Sequence, residues 1–273
     1  MTLKEKIPFA IRLLRNIPQD GPIELSYSGG KDSDIILELA REAGIPFDAV
    51  YKQTTIDPPG TIAHAKAAGA RIARPKENFL TLVEKHGAPS RFRRFCCGHL
   101  KEYKIHDRAI QGIRRYESVK RVKMYKEPEM CRVYGKNEKA RLYFPILEWT
   151  DVDVARFVAD RGIKCHPLYY DEDGVFHAER RLGCIGCPMA HDNGLASWMK
   201  YPKLFKQYAR SYQTYLDNHQ GTDWYNRMEG SSVNALFNLL FCDSREKYDR
   251  LRADSDLDVR AFMEDFFGIE FDV

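Results

Sequence analysis

Ser26-Tyr27-Ser28-Gly29-Gly30-Lys31-Asp32-Ser33 follows the apolar run Pro22-Ile23-Glu24-Leu25 and opens a segment that reads as a helix over residues 34–43. A strand, a glycine turn and a helix N-terminus in that order make an anion site. Backbone N–H groups point outward at the start of the helix, and its dipole favours negative charge there. Gly29 and Gly30 let the backbone approach a phosphate closely. The loop is not a Walker A motif, which needs G-x-x-x-x-G-K-S/T, because position 25 is Leu and Lys31 is followed by Asp32. A solvated glycine turn is the plainer reading, and the ordered succession of all three elements weighs against it.

Outward from this loop, strand-like and helix-like segments alternate. Ile23–Tyr27 is apolar at every second position, a strand signal. The helix after the loop stops at Gly44, with Pro46 beyond it. Residues 47–52 read as the second strand, which runs into Gln53-Thr54-Thr55; residues 61–70 are Ala-rich and helical; residues 71–74 are a short strand, 79–85 a helix and 109–113 a further strand. This alternation predicts an α/β fold with a doubly wound, mostly parallel sheet. Ligands of such sheets sit at the carboxyl ends of the strands, where the glycine loop and Thr54-Thr55 both lie. Residues 119–144 are irregular and basic, and a hairpin or an excursion is expected there. Thr150 caps a helix with Asp151 and Asp153 in its first turn, and Arg161-Gly162 ends it. Beyond Leu195 the pattern is helical and aromatic. Trp198, Tyr201, Phe205, Tyr208, Tyr212 and Tyr215 read mostly as a packing face rather than a base-stacking stripe. The expected division is an α/β domain over 1–194 and a helical C-terminal extension over 195–273.

At 273 residues and 44% apolar composition the chain can bury a proper core. It has no apolar run long enough to span a membrane. Met1-Thr2-Leu3-Lys4-Glu5-Lys6 has no apolar core of signal-peptide type, so a cytoplasmic location is expected. The net charge of +4 hides an asymmetry: residues 85–126 hold 13 Lys/Arg against three acids, and residues 217–273 hold 13 acids against six bases. The basic stretch suits a polyphosphate, a sulfated nucleotide or a nucleic-acid backbone, with a merely solvated face as the alternative.

Seven cysteines are an odd number. In a reducing compartment they point to metal binding or sulfur chemistry rather than to a disulfide framework. Cys96-Cys97 and Cys184-Ile185-Gly186-Cys187-Pro188 are the notable groups. A C-x-x-C serves as a redox pair, half of a zinc site or half of an iron–sulfur site, and an unligated buried pair is the bland reading. Cys242 sits in the apolar run Leu239-Leu240-Phe241 and reads as core; Cys131 and Cys165 are unpaired in sequence, as substitute ligands or sulfur carriers.

Taken together these motifs resemble the phosphoadenosine phosphosulfate (PAPS) reductase family of the PP-loop ATP pyrophosphatase superfamily, over roughly residues 20–190. The resemblance rests on Ser28-Gly29-Gly30-Lys31-Asp32-Ser33, Thr54-Thr55-Ile56-Asp57-Pro58-Pro59, Cys96-Cys97 followed by Lys101, Gly112-Ile113-Arg114-Arg115-Tyr116-Glu117-Ser118 with Arg121, Pro145-Ile146-Leu147-Glu148-Trp149-Thr150, and Gly183-Cys184-Ile185-Gly186-Cys187-Pro188. It implies an adenine nucleotide alpha-hydrolase-like fold. It also implies an ATP site, with Mg²⁺, built from Ser28, Gly29, Gly30, Lys31, Asp32, Ser33, Thr54, Thr55 and Gly112. Lys31, Asp32 and Arg114 are the implied catalytic residues, and Lys101, Arg114, Arg115 and Arg121 are implied to face the anionic part of the substrate. With 86 residues between Cys97 and Cys184, the pattern resembles the cluster-binding branch, which implies a 4Fe-4S cluster held by Cys96, Cys97, Cys184 and Cys187.

True sulfonucleotide reductases use a cysteine in a C-terminal Glu-Cys-Gly-x-His segment, and no cysteine follows Cys242 here. The combination therefore looks more like the ATP pyrophosphatases of DNA sulfur modification. The expected activity is ATP cleavage to AMP and pyrophosphate, with adenylation of a nucleic-acid acceptor, the DNA backbone phosphate being the favoured one. A cysteine desulfurase would be the sulfur donor. The alternatives are an adenosine phosphosulfate or PAPS reductase with Cys131 or Cys165 as a displaced nucleophile, and a non-catalytic nucleotide-binding module.

Overall fold

The protein is described from a computed structural model that covers residues 1–134, 138–242, 244–254 and 257–273. In chain order its elements are α1 (Leu3–Arg15), β1 (Ile23–Tyr27), α2 (Lys31–Ala43), β2 (Asp48–Lys52), α3 (Thr61–Ala67), β3 (Arg71–Ala73), α4 (Phe79–His86), α5 (Phe95–Leu100), β4 (Arg108–Gln111), α6 (Val119–Met124), β5 (Glu129–Tyr134), β6 (Glu138–Tyr143), α7 (Asp151–Arg161), α8 (Leu195–Lys200), α9 (Pro202–Asp217), α10 (Asp223–Arg227), α11 (Ser232–Phe241), α12 (Arg245–Asp254) and α13 (Val259–Phe267). Contacts divide them into two compact units. The first is Met1–Gln53, Asp57–Pro75 and Leu100–Gly183; the second is Thr54–Ile56, Lys76–His99 and Cys184–Val273. The chain crosses between the units several times, so this division does not coincide with a single break at residue 194. All four cysteines of the two paired motifs fall in the second unit, with the C-terminal helices.

The first unit is built on a six-stranded sheet of order β3-β2-β1-β4-β6-β5. β3, β2, β1, β4 and β6 are parallel, and β5 runs antiparallel to β6. This is the α/β, doubly wound arrangement that the alternation predicts. The strand order reverses between β1 and β4, and a crevice opens at such a point beyond the strand ends. Ile23, Leu25 and Tyr27 point to one face, where they pack with Ala10 and Leu14 of α1, Ile36, Leu39 and Ala40 of α2, and Val154 and Phe157 of α7. Ala109, Ala140, Leu142, Phe144 and Leu147 form a smaller core. Glu24, almost fully buried, is neutralised by Lys52 Nζ at 3.0 Å and accepts a 2.6 Å hydrogen bond from Ser26 Oγ.

Local chemistry sets the element ends. α2 begins at Lys31, three residues earlier than its apolar pattern, because Gly30 takes an extended N-cap conformation and the motif itself forms the first turn. α3 stops at Ala67 rather than 70: Gly69 has φ +82° and turns the chain, and the Ala70 N–H bonds back to Ala65 O. The irregular basic stretch resolves into α6 and the β5–β6 pair, with residues 135–137 of that stretch outside the described residues. Thr150 caps α7 as expected, its side chain and that of Asp153 forming a reciprocal capping box, and Lys6 of α1 locks onto Asp153 at 2.7 Å.

In the second unit the aromatic stripe is largely core. Trp198, Phe205, Tyr208 and Tyr212 are buried, and Tyr201 and Tyr215 are half-buried. Trp198 stacks on Tyr208 with ring centroids 4.9 Å apart, and Phe205 meets Phe267 of α13 at 4.2 Å. Cys242 is buried here too, as its apolar run implies.

Leu25 is fully buried at the centre of the sheet. Leu25→Ala is expected to lower stability by about 2–5 kcal/mol, read as a lower denaturation midpoint at unchanged m-value. A loss below about 1 kcal/mol would contradict its place in the core.

Candidate functional site

The Ser28–Ser33 loop lies at the carboxyl end of β1, beside the end of β4. Gly29 has φ +76°, and a Cβ there would come within 2.8 Å of Thr61 Cγ2, so glycine is required both for the turn and for the packing. Gly30 is the N-cap of α2 and brings no side-chain oxygen of its own. Ser33 Oγ instead closes the first turn by donating to the Gly30 carbonyl at 2.6 Å, and it also sits 3.3 Å from Ser28 Oγ. Orphan amides at such a helix start are anion ligands. From the β4 side Gly112 passes so close that a Cβ would lie 2.8 Å from the Asp32 carbonyl oxygen.

A cleft of about 240 Å³ opens here, lined by Ser28, Gly30, Lys31, Asp32, Ser33, Gly112, Glu117, Arg121, Tyr169 and Arg181, among others. Lys31 is nearly inaccessible. Its Nζ donates to the Arg180 carbonyl at 3.1 Å, stands 3.4 Å from Asp32 Oδ2 and lies over the Tyr169 ring. Burial, with a further push from Arg114, holds its pKa below the usual lysine range, against the pull of Asp32. The Tyr169 hydroxyl accepts from the backbone N–H groups of Leu182 and Lys31, and burial raises its pKa to about 12. Arg121 ion-pairs with Glu117, which Arg181 also approaches at 3.9 Å. Burial, and then Arg181, depress the Arg121 pKa. Three cations thus surround one helix N-terminus, with two carboxylates among them, a combination suited to a polyanion.

The other expected residues fall in different places. Arg114 is buried and does not line the cleft. Its Nε donates to Asp32 Oδ1 at 2.8 Å and its Nη2 to Asp151 Oδ1 at 2.8 Å, so it positions Asp32 rather than facing the anion. Arg115 is turned away: it pairs with Glu148 at 2.6 Å, donates to the Tyr125 carbonyl and borders a separate hollow with Lys6 and Trp149. Lys101 lines a second recess of about 200 Å³ with Lys52, Gln111 and Arg132, and Ser26 and Ser28 border both this recess and the cleft. Thr54 and Thr55 belong to the second unit. Thr54 Oγ1 accepts from Cys184 Sγ at 3.5 Å, and Thr55 Oγ1 accepts from the Phe79 N–H at the start of α4 at 2.8 Å. Arg181 and Tyr169 were not expected from the sequence. The dipeptide Arg180-Arg181 just before Gly183-Cys184 is the one signal that could have marked the arginine.

Within the second unit the two cysteine motifs converge. The Ile185 N–H bonds to Ile56 O at 2.9 Å, the Gly186 N–H to Ser197 Oγ at 2.7 Å, and Cys187 N–H returns to Cys184 O. A Cβ on Gly186 would fall inside the Trp198 indole, and one on Gly194 would strike the Gly186 backbone, so both glycines let the loop lie flat on that ring. The Cys96 thiol is pushed well up in pKa, chiefly by its hydrogen bond with Cys97 and by burial, then by Cys184 and Cys187. Four mutually repelling soft donors fit a thiolate-bound metal centre in their chemistry. As placed, among the described residues, no three His, Cys, Asp or Glu side chains form a ready metal-holding group. Cys131 is exposed on β5. Cys165 is buried in the first unit, where burial and Asp34 raise its thiol pKa.

The family model of the phosphoadenosine phosphosulfate reductase domain matches residues 22–190, more than half of the chain. A protein of Methanocaldococcus jannaschii, itself uncharacterised, is 31% identical over 203 residues, 68% of this chain and 46% of that protein. Sulfate adenylyltransferase subunit 2 of Shewanella baltica is 28% identical over 200 residues, 59% of this chain and 65% of the relative. The chain thus spans less than two thirds of these relatives. Among solved structures, Candida auris phosphoadenylyl-sulfate reductase aligns with a TM-score of 0.44 at 16% identity, covering 67% of this chain and 88% of that one. Candida glabrata FMN adenylyltransferase aligns with a TM-score of 0.44 at 14% identity, covering 67% and 62%.

Arg114→Met would leave Asp32 without its buried partner. It is expected to cost about 3 kcal/mol and to weaken nucleotide binding. Arg114→Lys should recover part of the stability but not the forked geometry. Calorimetric melting and nucleotide titration of the two variants check this; an Arg114→Met protein as stable as the parent would refute the positioning role.

Proposed function

The chain belongs to the phosphoadenosine phosphosulfate reductase domain family, and from that premise we propose that it is an ATP pyrophosphatase that adenylates an oxyanion acceptor. The observation that carries the reading is the glycine-turned start of α2, ringed by Lys31, Arg121 and Arg181. The name of the Shewanella relative, a sulfate adenylyltransferase subunit, supports transfer of an adenylyl group to an oxyanion. The loop and the cations would grip the β,γ-pyrophosphate. An acceptor oxygen would then bond to the α-phosphorus as the bond to the β-phosphate bridge breaks, releasing pyrophosphate with its charge already matched. Mg²⁺ would lower the repulsion met by the incoming oxygen, and Asp32, held by Arg114 at 2.8 Å, would orient it.

The acceptor we favour is a nucleic-acid backbone phosphate, most simply DNA: persulfide sulfur from a cysteine desulfurase would bond to the acceptor phosphorus as its bond to the adenylated oxygen breaks, AMP would leave with that oxygen, and a thiol reductant would cleave the remaining S–S bond. The basic composition of residues 85–126 supports a polyanionic acceptor. Cys96, Cys97, Cys184 and Cys187 would hold a 4Fe-4S cluster, which when bound would supply electron transfer or a sulfur-binding iron. The chain's own contribution there is the flat loop on Trp198 and the Thr54 contact to Cys184.

Incubated with ATP, Mg²⁺ and DNA, the protein is expected to release AMP and pyrophosphate. Mass spectrometry of the nucleotide and of the acceptor checks this: ADP with phosphate would overturn the pyrophosphatase reading, and sulfite release from a sulfonucleotide with a thiol donor would replace it with reduction. Anaerobic preparations are expected to be brown and to contain four irons per chain, and Cys184→Ser should be colourless. Stoichiometric zinc in the anaerobic parent protein would refute the cluster.

A further inference from the structure

Residues 85–99 of the second unit include Lys85, His86, Arg91, Arg93, Arg94 and His99 and no acid. At the centre of this stretch is a closed turn. The Ser90 N–H donates to the Arg93 carbonyl at 3.1 Å, and Ser90 Oγ accepts from the Arg93 N–H at 3.1 Å, so Arg91 and Phe92 form the tip. The whole Phe92 side chain stands in solvent. Arg91 braces the tip by donating to the carbonyls of Pro188, Ala190 and His191 at 3.0–3.2 Å, which ties it to the loop that follows Cys187. Arg94, where the chain leaves the turn, donates to Cys97 Sγ at 3.4 Å. Arg93 is exposed and has no ion-pair partner among the described residues. The field around the turn is positive. The His86 ring lies 5.2 Å from that of His99, and burial, then His99 and Arg93, hold its pKa below the usual histidine range, against the pull of Glu77. Acids on the adjoining segments are committed: Glu77 to Lys85, Glu84 to Ser211 Oγ at 3.1 Å, and Asp192 to the N–H groups of Gly194 and Ala196.

We propose that this turn docks single-stranded DNA, with an unpaired base stacked on Phe92 and an adjoining phosphate on Arg93. An exposed ring beside uncompensated guanidinium groups matches a partner that offers flat faces and anionic groups in alternation, which is what a single strand presents. A duplex has the phosphates but keeps its base faces stacked inside. An acidic protein surface has the charge but no regular supply of flat faces. The inference rests on the DNA-acceptor reading and deepens it. Because Arg91 and Arg94 tie the turn to the C-x-x-C loop and to Cys97, a strand held there would run beside both cysteine motifs.

The test is fluorescence anisotropy of labelled oligo(dT) and of a blunt DNA duplex, titrated with the full-length, anaerobically prepared protein over a range of salt, without ATP or Mg²⁺. Saturable oligo(dT) binding is expected. Phe92→Ala should weaken it about fivefold or more at an unchanged salt slope, and should leave duplex binding alone. Arg93→Gln should weaken it and reduce the slope of log K against log salt by about 0.7, the share of one phosphate contact on a single strand. Neither side chain has a hydrogen-bond partner among the described residues, so both variants should melt with the parent. Oligo(dT) binding absent, or untouched by both substitutions, would overturn the proposal, even where DNA stimulates AMP release and the acceptor reading stands. Binding weakened by both substitutions would support the surface, even where no AMP forms and the adenylation reading falls. Equal loss of duplex binding in Phe92→Ala would refute an unpaired base on the ring. Displacement by polyglutamate as readily as by unlabelled oligo(dT) would assign the turn to an acidic protein surface instead, and tighter binding of oligo(U) than of oligo(dT) would refute DNA as the strand.

Discussion

The pairing of Asp32 with the buried Arg114 is the contact on which the glycine-loop end of the sheet depends. Asp32 lies in the first turn of α2, and Arg114 lies just past β4, so this single ion pair ties together the two strands between which the sheet order reverses. Gly112 makes the approach possible, because any side chain there would strike the Asp32 backbone. Asp151, at the start of α7, takes the other edge of the same guanidinium. Three helix and strand ends are therefore held by one forked cation. A Lys could supply the charge but not the two directed bonds.

The consequences run outward from that clamp. With Asp32 fixed, Lys31 is confined under Tyr169 against the Arg180 carbonyl, and the glycine turn before it is pinned by Thr61. The cations exposed to the cleft are then Arg121 and Arg181, which share Glu117. Burying an arginine between two acids needs further hydrogen bonds to offset desolvation, and Arg114 adds a third donation, to the Trp149 carbonyl at 3.4 Å. The second unit rests on a different constraint: a backbone loop pressed flat on an indole, which only glycine at 186 and 194 allows.

Much of this was legible in the chain. Ile23–Tyr27 reads as a strand from its alternation, and Thr150 with Asp153 reads as a helix start from capping chemistry; both are local properties, carried by residues a few positions apart. The Ser28–Ser33 loop is legible for the same reason, since strand, turn and helix start are contiguous. The role of Arg114 was not. Adjacent arginines 114 and 115 look equivalent as residues, yet one is buried between carboxylates and the other pairs with Glu148 beside Lys6. Arg181 was missed because what brings it to the loop is the return of the chain near residue 180, which leaves no periodic trace.

Sequence alone determined the strand–turn–helix anion motif, the order of α/β elements, the paired cysteine motifs and the family to which they point, because each depends on residue types at short, fixed spacing. Tertiary structure alone decided which cations meet that motif, that Thr54 serves the Cys184 loop, and that the two cysteine motifs gather among the C-terminal helices rather than in the sheet unit. Those outcomes depend on where distant segments meet. Burial and hydrogen-bond completion select the partner there, and a side chain's own neighbours in the chain carry no record of that choice.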